Sequence, residues 1–166
     1  MSEKQSIESV LNERGFLVYP NVGTSMMPLL RQGKDLMEIR KKPAGRCQKY
    51  DAVLYKRGER YILHRILKVR ERDYVIVGDN CWRREFGIKD EQILGVLTGV
   101  MRNGKRIDVN DKRYQRYVHL WCDFFPIRAA IVFMAMQVRE MKYFIKGASR
   151  ALWRRIKSLP CARGGG

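Results

Sequence analysis

Between Phe16 and Val109 apolar residues alternate with polar ones in short runs; from Asp111 onward they recur at every third or fourth position. The first pattern reads as half-buried strands and the second as one face of a helix. Strands are predicted over 16–19, 36–39, 51–55, 61–69, 74–77 and 93–100. Turn residues punctuate them: Pro20, Pro43 with Gly45, Gly58, Arg70 to Asp73, and Gly78-Asp79-Asn80. Asn103-Gly104 is the pair that closes a tight hairpin, and Met26 to Leu30 reads as the opening of a short helix. Short strands at close spacing predict a mainly β fold, with one compact antiparallel domain over 16–109. Ahead of it, 1–15 reads as a short helix with Ile7, Val10 and Leu11 on one face.

The second pattern predicts a helical extension over 110–160, broken or kinked at Pro126. Past the proline, Ile127, Ala130, Ile131, Met134, Val138, Met141, Ile145, Ala148, Leu152 and Ile156 form an apolar stripe. Arg139, Lys142, Lys146, Arg150, Arg154 and Lys157 share another face. A basic amphipathic helix suits an anionic membrane interface, here over 127–157, and equally suits packing on the β domain or in a partner's groove. The tail 161–166, Cys-Ala-Arg-Gly-Gly-Gly, is expected to be flexible.

Charge sharpens this division. The 166 residues carry 34 Lys and Arg against 17 Asp and Glu, a formal +17. Residues 1–100 hold +6 of it and the shorter remainder +11, so the C-terminal part is expected to meet an anionic surface. Cys47, Cys81, Cys122 and Cys161 are widely spaced, with neither a zinc-ligand pattern nor a dense disulfide framework, which suits a reducing compartment. The N-terminus lacks the apolar core of a signal peptide, and the uncharged run 129–138 is too short to span a bilayer.

Candidate chemistry centres on Gly23-Thr24-Ser25-Met26-Met27-Pro28. Such a stretch is ordinary loop material unless a base lies near Ser25, because a serine hydroxyl is a poor nucleophile unaided. Only two histidines exist. His119 sits in the C-terminal helix and reads as structural. His64 alternates with Ile62 and Ile66 on one strand face, where burial favours the neutral, proton-accepting ring. Asp79, at the end of a nearby strand, is the candidate for holding that ring, with Gly78 letting the backbone turn.

These boxes, in this order, resemble the signal peptidase superfamily of serine endopeptidases, which includes the LexA-type repressors. They are Ser25-Met26-Met27-Pro28-Leu29-Leu30, Gly33-Lys34-Asp35, Asp51 to Tyr55, His64-Arg65-Ile66, Gly78-Asp79-Asn80 and Glu91 to Val96. Histidine in place of lysine implies the branch of the endoplasmic reticulum, archaea and spore formers. The resemblance implies that Ser25 attacks, His64 is general base and then acid, and Asp79 orients it. Glu85 stands where some relatives place a second acid. The Ser25 N–H is one oxyanion donor. The family often adds a hydroxyl two residues earlier, where this chain has Gly23, so Thr24 or another amide must serve. Met26, Met27 and Pro28 are expected to line a peptide cleft.

The resemblance thus implies a signal-peptidase/LexA-like β domain that cleaves a leader or precursor peptide without metal or cofactor. Relatives carry a membrane anchor before this domain; without one, the expectation is a cytoplasmic enzyme held at the inner leaflet by the basic helix. LexA-type self-cleavage fits less well, since the one Ala-Gly, Ala44-Gly45, follows the serine. Two other functions compete. One is a non-catalytic peptide-binding or tethering protein on the same fold. The other, ranked last for want of a recognised motif, is a nucleic-acid-binding module.

Overall fold

A computed structural model of the chain describes residues 6–157. A short helix, α1 (Ile7–Arg14), is capped by the Ser6 hydroxyl and stopped by Gly15 in the left-handed conformation. Eight strands follow: β1 (Phe16–Pro20), β2 (Leu36–Lys41), β3 (Ala52–Arg57), β4 (Arg60–Val69), β5 (Tyr74–Val77), β6 (Glu85–Ile88), β7 (Ile93–Arg102) and β8 (Lys105–Asp108). All pair antiparallel in the order β1-β2-β7-β3-β4-β5-β6, with β8 also on β7. The chain is therefore mainly β with a C-terminal helical segment. Asn103 and Gly104 both take positive φ at the β7–β8 turn, as a two-residue hairpin of matching twist requires. Met26 to Leu30 forms turns and no helix, and β6 is a strand that the hydrophobic pattern did not reveal.

Two apolar clusters occupy the two faces of the sheet. One gathers Leu54, Leu63, Leu97 and Val100 with Met26, Leu30 and Leu11, and is closed by Tyr114, Val118 and Cys122. The other gathers Val53, Tyr55, Ile66, Tyr74 and Ile76. Successive residues of β3 and β4 alternate between these clusters, as the pleat demands.

Two helices follow: α2 (Lys112–Asp123), capped by Asp111, and α3 (Phe125–Lys157). They meet at 83°, and Pro126 sits in the first turn of α3, where its missing N–H costs no hydrogen bond. Among the described residues no single helix is long and apolar enough to cross a membrane; α2 and α3 reach that length and composition only as a bent pair. The face of α3 that meets the domain carries Arg128 and Val132, both buried, with Met136 half-buried. The apolar stripe faces outward: Ile127, Ile131, Met134, Val138, Met141 and Ile145 are each at least 50% exposed. Side chains at Ala148, Leu152 and Ile156, and the tail 161–166, lie outside what the structure describes.

Candidate active site

Ser25 lies in the turn between β1 and β2, half-exposed, directly after Gly23 at φ +96° and the exposed Thr24. Asn21 steadies this turn through its side-chain amide, which donates to Gly23 O at 3.0 Å and Leu30 O at 3.3 Å. The Asn80 N–H donates to Ser25 O at 2.7 Å, so the loop after β5 is fastened to the serine turn. The Met27 N–H is taken by Thr24 O, while the Ser25 and Met26 amides donate to no carbonyl among the described residues.

Gly78 shows how closely the groups converge. A Cβ there would come within 2.7 Å of Ser25 O, 2.8 Å of Cys81 Sγ and 2.9 Å of His64 Nε2. Its φ is outside the left-handed region, so lack of space, not a turn conformation, requires glycine. Ser25, His64 and Cys81 thus share one small region. The hydrogen bonds of the His64 ring run to Glu85 and Tyr55, not to Ser25 Oγ.

His64 is 7% exposed. Its Nδ1 lies 2.9 Å from Glu85 Oε1, while Glu85 Oε2 accepts from Tyr55 OH at 2.9 Å and Arg57 at 2.5 Å. Burial alone would lower the pKa of His64, but Cys81 and Glu85 outweigh it and raise the value above the ordinary one. Glu85 is held below the ordinary carboxylate range, chiefly by its bond to His64 and, against the effect of burial, by Tyr55 and the charges of His64 and Arg57. Burial pushes the Tyr55 phenol far up and Glu85 adds to it, so Tyr55 stays a donor. With Nδ1 committed to Glu85, Nε2 is the nitrogen that meets Cys81 and the backbone of the serine turn above Gly78.

Asp79 does not orient His64. His64 and Arg65 are adjacent on β4 and project to opposite faces, and Asp79 is held by Arg65. Its carboxylate takes Arg65 Nε at 2.9 Å and Nη2 at 2.8 Å, and the Tyr117 hydroxyl at 2.9 Å. Arg65 also donates to Tyr50 O and the Tyr114 hydroxyl. Both members of the pair are 0% exposed, forming a polar joint between sheet and α2. Glu85, and not Asp79, is the carboxylate bonded to His64.

Arg128 was invisible to the pattern, since an arginine in an apolar helix reads as an interruption. It is buried and donates to Gly78 O at 3.2 Å, Asp79 O at 2.8 Å and Cys81 O at 3.3 Å. Trp121 Nε1 adds a bond to Asp79 O at 2.8 Å. The two helices therefore hold the loop that carries Cys81 against His64.

Two clefts meet at Ser25. One, of about 460 Å³, runs past Met26, Met37, Leu54, Leu63 and Val22. The other, of about 520 Å³, runs between Cys81 and α3. Met26 lines the first; Met27 and Pro28 line neither, because they turn to the outside of the loop. Comparison with known proteins finds no matching family, no matching curated protein and no matching solved structure.

Proposed function

We propose that the chain is a serine endopeptidase of the signal-peptidase type, Ser/His branch, acting on a leader or precursor peptide at an anionic membrane face. The observation that carries this reading is the relay Tyr55/Arg57–Glu85–His64, whose second ring nitrogen, Nε2, lies beside Cys81 and the serine turn. A carboxylate on Nδ1 fixes the tautomer that leaves Nε2 able to accept a proton, and stabilises the imidazolium that results.

In the reaction, Ser25 Oγ attacks the scissile carbonyl as His64 Nε2 takes its proton. The Ser25 N–H, with the neighbouring Met26 or Thr24 amide, faces the developing oxyanion. Collapse expels the amine, which receives the proton from Nε2 and leaves an acyl ester on Ser25. Water then repeats the sequence and frees the carboxylic acid. Since no hydrogen bond joins Ser25 Oγ to His64, substrate binding must close that gap, as catalytic contacts often do. The apolar cleft beside Met26 accepts the acyl side of the peptide. The outward apolar stripe of α3, with Lys142 and Lys146 exposed beside it, supports docking on anionic lipid.

The test is covalent labelling with a fluorophosphonate, alongside cleavage of peptides with small residues before the scissile bond. The adduct is expected on Ser25 and is lost in Ser25→Ala and His64→Ala, together with cleavage. Full activity in both variants would overturn the reading.

A further inference from the structure

We infer that the cleft between Cys81 and α3 receives the leaving side of the substrate, and that Arg83 and Arg139 select acidic residues there. This rests on the peptidase reading above and adds a substrate class to it.

The direction of the peptide follows from proton transfer. The general acid must hand its proton to the departing amine, so the leaving segment has to pass on the His64 Nε2 side of Ser25. That nitrogen and Cys81 Sγ crowd the same point above Gly78. Ser25 and Cys81 both line the second cleft, whereas Cys81 is absent from the apolar one. The leaving segment therefore runs toward α3.

The second cleft is built to hold charge in place. Its far wall is Val132, Met136 and Arg139 of α3, and its near wall is Cys81, Trp82 and Arg83. The helix cannot drift from it freely: Arg128 fastens it to the loop carbonyls, and the Trp82 and Phe133 rings meet edge to face at 5.1 Å. Arg83 lies over the Trp82 ring at 4.5 Å, which restricts its side chain. No acidic side chain lines the cleft, and among the described residues neither Arg83 nor Arg139 is ion-paired. Glu140 instead borders a neighbouring hollow with Trp82 and Arg83. The apolar cleft holds two arginines of its own, Arg57 and Arg60, but Arg57 is neutralised by Glu85, which leaves one unpaired cation there against two here among the described residues. Two cations facing one half-open groove attract carboxylates of the leaving segment and repel lysine there.

The experiment compares two peptides identical before the scissile bond and carrying Asp-Glu or Lys-Lys at the second and third positions after it. Wild type is expected to prefer the acidic peptide by about tenfold in kcat/KM. Arg83→Glu/Arg139→Glu should reverse the preference, and higher salt should flatten it. Equal kcat/KM for the two peptides, or an unchanged preference in the double variant, overturns the inference. The same peptides are titrated by fluorescence anisotropy onto Ser25→Ala, which needs no catalysis. Selective binding of the acidic peptide without cleavage by wild type would keep the selection of acidic residues by Arg83 and Arg139 and sink the peptidase reading, and with it the leaving-side assignment. Equal binding alongside cleavage would do the reverse. Phosphatidylglycerol vesicles that displace the acidic peptide would assign the arginines to lipid and overturn the inference too.

Discussion

Glu85 Oε1 sits 2.9 Å from His64 Nδ1 and joins a histidine in β4 to a carboxylate in β6, across the intervening β5. The pairing holds because Tyr55 and Arg57 of β3 fix the other carboxylate oxygen. It engages one ring nitrogen and, against burial and together with Cys81, raises the pKa of His64.

Glu85→Gln should therefore change both the rate and its pH dependence. The His64 pKa is raised in the folded protein, so activity needing the neutral ring increases as pH rises through that value. Removing the carboxylate leaves burial to oppose the charged ring with less resistance, and the acid limb of kcat/KM moves to lower pH. The maximum falls by about 10² to 10⁴-fold, because the tautomer and the imidazolium lose their support. A pH–rate profile decides it: an acid limb that stays put would show that Glu85 does not govern His64.

Asp79 and Arg65 predict a different outcome, one of stability. Removing one partner of a fully buried ion pair strands the other and costs about 3–5 kcal/mol. At about 2–4 °C per kcal/mol for a chain of this size, Asp79→Asn should melt roughly 10 °C lower. Below that temperature kcat should change little, and thermal unfolding with kcat measured on folded protein separates the two. A large fall in kcat at an unchanged melting temperature would restore Asp79 to the catalytic relay.

The contrast between these two acids shows what was legible in the chain. The strands and the Asn103-Gly104 hairpin follow from local pattern, because period two and turn chemistry act over a few residues, whereas pairing Ser25 with His64 rests on the order of boxes that the family resemblance supplies. Choosing between Asp79 and Glu85 needed the sheet. Gly-Asp-Asn announces a turn, but only the alternation of His64 and Arg65 shows which face Asp79 serves. Glu85 opens a four-residue strand whose pairing with β5 is set by tertiary contacts, so its local sequence says little. Arg128 is the plainest case. Its inward position depends on carbonyls of a loop about fifty residues earlier, which no periodicity reports.

The outward stripe of α3 predicts vesicle binding. Each exposed basic residue near an anionic surface contributes about 1 kcal/mol, and the stripe adds apolar insertion. Wild type should co-float with phosphatidylglycerol vesicles and not with phosphatidylcholine. Val138→Asp/Met141→Asp, at positions that do not pack on the domain, should abolish flotation while leaving peptide cleavage in solution intact. Unchanged flotation of that variant would assign binding to another surface.

Cys81 supplies the sharpest test of which atom attacks. Its thiol crowds Nε2 of His64, so a cysteine nucleophile and a serine nucleophile would compete for one base. Cys47 and Cys122 are buried and pushed up to about 11, chiefly by desolvation, and should be inert near neutral pH. In a Cys161→Ser background, iodoacetamide should therefore label Cys81 first. The carboxamidomethyl group would occupy the space beside His64, and activity should fall in step with labelling. Cys81→Ala should remain active and resist the reagent, because Ser25 still holds the hydroxyl. If instead Cys81→Ala is inactive while Ser25→Ala cleaves normally, the site is a cysteine peptidase built on the same His64–Glu85 relay.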